Sequence, residues 1–251
     1  MGVAAGEPRH PGSLASGQYP AGLRYAGRLL AVEGIDGSGK STHLQLLLSW
    51  LRALGHTVHV TNWNSSPLVH DALREAKRAR ILTPRTFSLM HAADLGDRLE
   101  QEVLPHLRVG HIVLADRWVC TALARDQARG LDPAWVRRVY AMAPRPDLTV
   151  FFRLPVDVAL GRILAARGKP GYHESGMDLH LAADPAESYR IFQQRVLDHY
   201  DAMVASEQLA VIDALQPARL QQAQLRELAG AVLAGYGAEE GAAAGPFRAG
   251  G

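Results

Sequence analysis

A glycine-rich stretch follows the apolar run Leu29-Leu30-Ala31-Val32, and it contains the residue types that bind phosphate. Its pattern is a glycine, four further residues, then glycine, lysine and serine, and a helical pattern of leucines follows. Glycines permit the positive φ angles that let backbone amides close around phosphate oxygens. The lysine reaches the β and γ phosphates, and the serine hydroxyl faces Mg²⁺. We predict a nucleotide triphosphate and magnesium site at Gly34, Ile35, Asp36, Gly37, Ser38, Gly39, Lys40, Ser41 and Thr42.

The use of lysine supports this interpretation. Lys40, Lys77 and Lys169 are the only lysines in the chain, which uses arginine almost everywhere else. Arginine does not replace lysine where a compact point charge on phosphate is required. Lys40 is therefore a candidate catalytic residue that holds the phosphates.

A second charged motif stands at the end of another apolar run. His111-Ile112-Val113-Leu114-Ala115 is too short for a helix and is followed by Asp116 and Arg117, which predicts a buried parallel strand with charge at its carboxyl end. Open α/β sheets bind ligands at that end. We expect Asp116 to hold Mg²⁺ together with Ser41, and Arg117 to bind an acceptor phosphate. The alternatives are a helix cap for Asp116 and a surface salt bridge for Arg117.

Further cations flank a glycine-rich polar segment, residues 169–184, which has the composition of a mobile loop. They are Arg162, Arg167 and Lys169. We predict a lid over about residues 162–184, in which Arg162 and Arg167 stabilise the charge on a transferring phosphoryl group. The alternative for each cation is a solvated surface position.

Two classes of nucleotide-binding protein are disfavoured. The chain has no Asn-Lys-x-Asp motif, which guanine-reading GTPases use. Asp116 is followed by arginine and not by a glutamate that could polarise water, as a motor-type ATPase requires. These observations favour phosphoryl transfer to a small acceptor.

Short apolar runs alternate with helical patterns along the chain, which predicts a three-layer α/β fold with a central parallel sheet and a lid. The capping pairs Thr83-Pro84, Asp132-Pro133 and Asp184-Pro185 start helices that we expect to end near Leu107, Met142 and Tyr200. We assign residues 1–26 to a disordered leader, 27–235 to one kinase domain and 236–251 to a disordered tail.

Composition limits the partners and the compartment. The net charge of +2 gives no indication of nucleic-acid binding, and no apolar run approaches the roughly 20 residues of a membrane span. Cys120 is the only cysteine, which fits a reducing compartment. We therefore expect a cytoplasmic protein without nucleic-acid or membrane partners.

The chain resembles the thymidylate kinase family over most of residues 28–214. The stretch Glu33 to Thr42 looks like the phosphate-binding loop of the family, Asp116 to Thr121 is similar to its Asp-Arg-aromatic-x-x-Ser/Thr motif, and 146–162 looks like the strand and helix that lead to its lid. The resemblance implies transfer of the γ-phosphoryl group of ATP to dTMP, with Asp36 near the acceptor sugar and Arg117 and Thr121 in the acceptor site. It also implies a homodimer.

The departures from the family pattern concern mostly the acceptor. Residues 62–67 replace a Glu-Pro-Gly-Gly turn. His91 and Leu95 stand where the family has a thymine-stacking aromatic residue and a phosphate-binding arginine. His91 can still stack on a base or lie in the core, and Arg98 can substitute for the missing arginine. Gly37 stands where some members carry an arginine, so the lid is the expected source of catalytic cations.

The leading hypothesis is therefore an ATP- and Mg²⁺-dependent kinase that converts dTMP to dTDP. A first alternative keeps the enzyme and changes the acceptor to another nucleotide, a nucleoside or a small alcohol. A second alternative is a module that binds ATP without transferring phosphate.

Overall fold

A computed structural model describes residues 25–234 and residue 236. Five parallel strands form one sheet in the order β2-β3-β1-β4-β5, and helices cover both of its faces. The predicted α/β architecture is confirmed. Within the described ranges no helix combines the length and the apolar character that a membrane span needs. The predicted leader up to residue 24 and the predicted tail beyond residue 236 lie outside the described residues.

One or more helical segments separate each strand from the next along the chain. The elements are β1 (Arg28–Glu33), α1 (Lys40–Ala53), β2 (Val58–Asn62), α2 (His70–Ala79), α3 (Pro84–Arg98), a π-helical segment (Leu99–Val103), α4 (Leu104–Arg108), β3 (Ile112–Asp116), α5 (Val119–Ala128), α6 (Pro133–Val139), β4 (Leu148–Arg153), α7 (Val156–Arg167), a short 3₁₀ helix (Met177–Leu179), α8 (Pro185–Ser206), β5 (Ala210–Asp213) and α9 (Ala218–Leu233).

The register of the sheet brings the charged motifs together at the carboxyl ends of the strands. Val32 of β1 lies beside Asp116 of β3, and Asn62 of β2 lies on the other side of Asp116. β1 and β3 are buried along almost their whole length, which agrees with their continuous apolar sequences. The carboxyl ends of three neighbouring strands therefore meet where the glycine-rich stretch begins.

Helix starts were predicted more accurately than helix ends. The side chains of Thr83, Asp132 and Asp184 each accept a hydrogen bond from a backbone amide three residues later, as expected of N-caps. The helix after Thr83 continues beyond Leu107, but the π-helical segment interrupts it. Pro105 follows that segment, and because proline has no N–H it cannot continue the regular bonding ladder.

Two helix ends differ from the prediction. α6 ends at Val139 and not near Met142, and α8 continues past Tyr200 to Ser206. Met203 is buried on α8, so packing of this last turn carries the helix beyond the predicted end.

A buried carboxyl group joins α5 to α3. The Ser88 hydroxyl donates a hydrogen bond of 2.5 Å to Asp126, whose side chain is almost fully enclosed. Burial raises the pKa of Asp126 from 3.8 to about 6, and the hydrogen bond from Ser88 only partly opposes this effect. Holding Asp126 ionised in the folded state therefore costs free energy.

We predict that Asp126→Asn changes the pH dependence of the free energy of unfolding. In the wild type, the contribution of the protonated Asp126 is complete below pH 3.8 and is lost as pH rises through about 6. Asparagine still accepts the Ser88 hydrogen bond and does not titrate. The stability of the wild type relative to the variant should fall by about 3 kcal/mol at most between pH 4 and pH 7, measured by urea unfolding.

Asp71→Asn, on the exposed surface of α2, is the control for loss of one negative charge. Parallel stability curves for the wild type and Asp126→Asn across this pH range would contradict the account of this carboxyl group.

Candidate active site

An open cavity of about 610 Å³ lies at the carboxyl edge of the sheet. The glycine-rich stretch, α2, α3, α5 and the segment that follows α7 all contribute to its walls. Most of the lining side chains are polar or charged, and cations outnumber carboxylates. The lining residues are Asp36, Gly37, Lys40, Ser41, Asn64, Lys77, Phe87, Arg125, Arg167, His173 and Glu174.

The glycine-rich stretch has the backbone of a phosphate-binding loop. Gly37 has a φ of 85°, and a Cβ atom there would lie 2.8 Å from the carbonyl oxygen of Ala159, so both conformation and space require glycine. α1 begins at Lys40 without a side-chain cap, and the buried Ser38 hydroxyl lacks a hydrogen-bond partner within the described part of the chain. An uncapped helix N-terminus beside unpaired donors fits a bound polyphosphate.

Lys40 lies beside this loop with 6% of its surface exposed. Burial lowers the pKa of Lys40 to about 8, and the nearby guanidinium of Arg117 acts in the same direction. Asp36 and Asp116 oppose the shift. Phosphate oxygens placed in the cavity would favour the charged ammonium, because an anion at close range stabilises it. Lys40 thus lies where a bound polyphosphate would stabilise the charged form of its side chain.

The two predicted metal-binding residues meet in the structure. The Ser41 hydroxyl donates a hydrogen bond of 2.6 Å to a carboxylate oxygen of Asp116. Mg²⁺ prefers oxygen ligands and usually binds one or two protein groups together with phosphates and water. Across residues 25–234 and 236, no group of three or more His, Cys, Asp or Glu side chains could hold a metal ion by itself. The pair therefore fits a Mg²⁺ ion that is shared with a nucleotide.

Asp36 is held by two arginines. Its carboxylate forms ion pairs with Arg117, at 2.5 Å, and with Arg125. Burial alone would raise the pKa of Asp36, but the guanidinium groups of Arg125 and Arg117 outweigh burial and hold this pKa well below its usual range. Arg117 also donates to the backbone carbonyl of Gly34, at 2.9 Å, and to the Thr121 hydroxyl, at 3.3 Å. These contacts fix the loop to the start of α5.

The fully buried carboxylate of Glu33 fixes the backbone next to Arg117. Glu33 accepts hydrogen bonds from the backbone amides of Trp118 and Thr121, from the Thr121 hydroxyl and from the Tyr200 hydroxyl. Burial raises the pKa of Glu33, and the hydroxyls of Thr121 and Tyr200, the amide of Trp118 and the charge of Arg117 oppose that effect. The network fixes the first turn of α5, and Arg117 precedes this turn with a φ of 74°. Glu33 therefore fixes the backbone turn that follows Arg117.

The predicted lid cations lie near the loop. Arg162 donates to the carbonyl oxygen of Gly37, at 3.3 Å, and to that of Ala214, at 3.2 Å. Arg167 lines the cavity and forms an ion pair of 2.7 Å with Glu174. Lys169 is exposed and is not among the lining residues.

The segment after α7 is tied to α5 and α8 despite its loop-like composition. Arg129 on the α5 side forms an ion pair of 2.9 Å with Asp178 and donates to the carbonyl oxygen of His173, at 2.9 Å. Gln193 of α8 donates to the carbonyl oxygen of Glu174, at 2.6 Å. These bonds place His173 and Glu174 in the cavity wall.

Of the five predicted acceptor residues, only Asp36 is among the lining residues, and Arg117, which holds Asp36, is buried behind it. His91 is 4% exposed and packs edge-on against Phe87, with ring centroids 4.4 Å apart. Phe87, one turn earlier on α3, lines the cavity instead. Arg98 is fully buried, where it forms an ion pair of 2.9 Å with Asp94. Thr121 is also buried, within the Glu33 network described above.

The structure adds lining residues that the sequence analysis missed, above all Arg125 and Lys77. Thr121 and Arg125 are four residues apart in the segment that forms α5, so helical periodicity could have placed Arg125 on the same helix face as Thr121. The scarcity of lysine, used as an argument for Lys40, applied equally to Lys77. For Phe87, neither residue spacing nor residue scarcity indicated a position in the cavity wall.

Comparison with known proteins agrees with this geometry. The family model for thymidylate kinase matches residues 32–225. The "Probable thymidylate kinase 2" of Saccharolobus solfataricus is 40% identical over 81% of this chain and 96% of its own length. The "Thymidylate kinase" of Alcanivorax borkumensis is 32% identical over 81% of this chain and 96% of its own. The "Probable thymidylate kinase" of Pyrobaculum aerophilum is 30% identical over 79% and 94%.

The matched range begins in β1 and ends within α9, so it contains every lining residue of the cavity. A match of this extent, together with relatives that align over almost their full length, establishes the family. The chain belongs to the thymidylate kinase family.

Proposed function

We propose that this protein transfers the γ-phosphoryl group of ATP to dTMP, giving ADP and dTDP. One observation carries the proposal: a single cavity joins a phosphate-binding loop, with Lys40 and Ser41, to a wall formed by Asp36 and Arg125. A phosphoryl donor and a small acceptor can therefore meet in one cavity. The names of the relatives point to dTMP as that acceptor.

On the donor side, Lys40 and the amides of the loop would bind the phosphates of ATP. Ser41 and Asp116 would hold Mg²⁺, which when bound neutralises charge on the β- and γ-phosphates. Phosphoryl transfer needs no covalent intermediate, since positioning and charge neutralisation supply most of the catalysis. The residues named above would provide both the positioning and the charge neutralisation.

On the acceptor side, Asp36 would contact the sugar and Arg117 the phosphate of dTMP. Their ion pair holds the two side chains in a fixed relation before the substrate enters. Phe87 offers an aromatic surface in the cavity wall. His91, Arg98 and Thr121 stay predictions as acceptor residues, and all three side chains are buried.

Arg162 and Arg167 would stabilise the charge that moves with the phosphoryl group. Arg162 already contacts the loop carbonyl of Gly37, and Arg167 faces the cavity. The segment that carries Glu174 closes one side of the cavity and would limit the access of water to the reaction. Both arginines lie on α7, so a small movement of that helix changes their distance to the phosphates together.

Kinase activity is tested by a coupled assay of ADP release with dTMP, other nucleotides, thymidine and small alcohols as acceptors. We expect dTMP to be the preferred acceptor by kcat/KM and Lys40→Ala to abolish measurable turnover, because the phosphates then lose their buried cation. Preference for another acceptor would contradict the assignment of dTMP. ATP binding without phosphorylation of any acceptor would indicate a non-catalytic module.

A second prediction concerns the pH dependence of ATP binding in the absence of acceptor. The ammonium of Lys40, with its pKa at about 8, is present below that pH and is lost above it. The affinity of the wild type for ATP should therefore fall as pH rises from 7 to 9, approaching tenfold per pH unit at the upper end. Calorimetry in buffers of different ionisation enthalpy should show proton uptake at pH 8.

Lys40→Arg keeps a positive charge that does not titrate in this range. It should bind ATP more weakly at pH 7, because the planar guanidinium fits the loop less well, and its affinity should stay constant from pH 7 to pH 9. An equal fall with pH in the wild type and in Lys40→Arg would contradict the assignment to Lys40.

A further inference from the structure

We propose that the ammonium group of Lys77 binds the phosphate group of the acceptor nucleotide. This assignment rests on the proposed function and names a residue of its acceptor site. Lys77 lies on α2, on the wall of the cavity that also contains Phe87 and His173.

Lys77 differs from the other cations that line the cavity, because they either form ion pairs or belong to the phosphate-binding loop. Four lysine and arginine side chains line the cavity. Arg125 forms an ion pair with Asp36, Arg167 forms one with Glu174, and Lys40 belongs to the phosphate-binding loop. Within the described residues, no carboxylate lies within ion-pair distance of Lys77. Apart from the loop lysine, Lys77 is thus the lining cation whose charge is left for a ligand.

The surroundings of Lys77 keep it at the cavity wall. Its ammonium lies 5.2 Å from the centre of the Phe87 ring, and its side chain is half-buried. The ring of His173 faces the backbone carbonyl of Lys77 at 3.3 Å and also packs on Phe87, with centroids 5.2 Å apart. A cation held over an aromatic face is positioned before the ligand arrives.

Two arginines lie near Lys77, and the carboxylate of Asp94 only partly offsets their effect on its pKa. Arg129 lies 4.7 Å from the centre of the same Phe87 ring, on which Lys77 also packs. Burial lowers the pKa of Lys77 to about 8, and the charges of Arg125 and Arg129 act in the same direction. A bound anion would relieve this repulsion, whereas a neutral base would not. The phosphate is the charged group of a nucleoside monophosphate, so it is the expected partner.

The choice of lysine at this position agrees with a phosphate ligand. The chain contains three lysines against 24 arginines, and two of the three lysines line this cavity. Lysine offers a compact charge that can approach a phosphate oxygen from several directions. Neighbouring cations on the exposed face of α2, such as Arg74 and Arg78, are arginines that pair with carboxylates on their own helix.

The test compares the binding of dTMP with that of thymidine, which lacks the phosphate, to the wild type and to Lys77→Met. Both ligands are titrated by calorimetry in the presence of Mg²⁺ and a non-hydrolysable ATP analogue. We expect Lys77→Met to weaken dTMP binding roughly 10- to 100-fold, as for loss of a hydrogen bond to a charged group, and to leave thymidine binding within about twofold. Lys77→Arg should retain most of the dTMP affinity.

Arg78→Met, an exposed cation of the same helix, is the matched control and should bind both ligands like the wild type. Unchanged thymidine binding shows that Lys77→Met is folded, and Lys77→Arg repeats the test without loss of charge. Equal weakening of dTMP and thymidine, or no weakening of either, would overturn the assignment to the phosphate. A wild type that binds no dTMP would overturn the proposed function as well, so the two failures are distinguishable.

Discussion

The site depends on the ion pairs between Asp36 and the arginines Arg117 and Arg125. Asp36 belongs to the loop that follows β1, Arg117 follows the neighbouring strand β3, and Arg125 lies on α5. Burial of a carboxylate is unfavourable without such partners, and the low pKa of Asp36 shows that the cations more than offset it. The loop that would bind the donor is therefore fixed to the wall that would bind the acceptor.

Several buried groups maintain this arrangement from outside the cavity. Glu33 orders the turn that carries Arg117, and the Tyr189 hydroxyl donates a hydrogen bond of 2.8 Å to the backbone carbonyl of Asp36. Tyr189 lies on α8, the helix that also binds the segment around Glu174. α8 thus contacts both the glycine-rich loop, at Asp36, and the segment around Glu174, so movements of that segment and of the loop are mechanically linked. Both carboxylate oxygens of Glu33 accept hydrogen bonds, and a satisfied buried group of this kind favours one geometry of the site.

Local sequence predicted where the glycine-rich loop and Asp116-Arg117 lie in the fold, but it did not predict most of the side chains that line the opposite wall of the cavity. The loop from Gly34 to Thr42 and the pair Asp116-Arg117 are contiguous and stand at strand ends, so pattern alone places them. The acceptor wall comes from α2, α3, α5 and the lid segment, and its composition depends on how these elements pack. Phe87 and His91 are one turn apart on α3, and only tertiary packing decides that Phe87 faces the cavity. The π-helical segment and the extended end of α8 escaped prediction for the same reason.

The central claim is that Asp36 and Arg117 act as one unit that joins the two halves of the site. A double-mutant cycle in kcat/KM for dTMP, with Asp36→Asn, Arg117→Met and the double variant, measures this coupling most directly. We expect the loss in the double variant to be smaller than the product of the two single losses by roughly tenfold or more, because either substitution already breaks the ion pair. Losses that multiply to within about twofold would mean that the two residues act independently, and they would contradict the account.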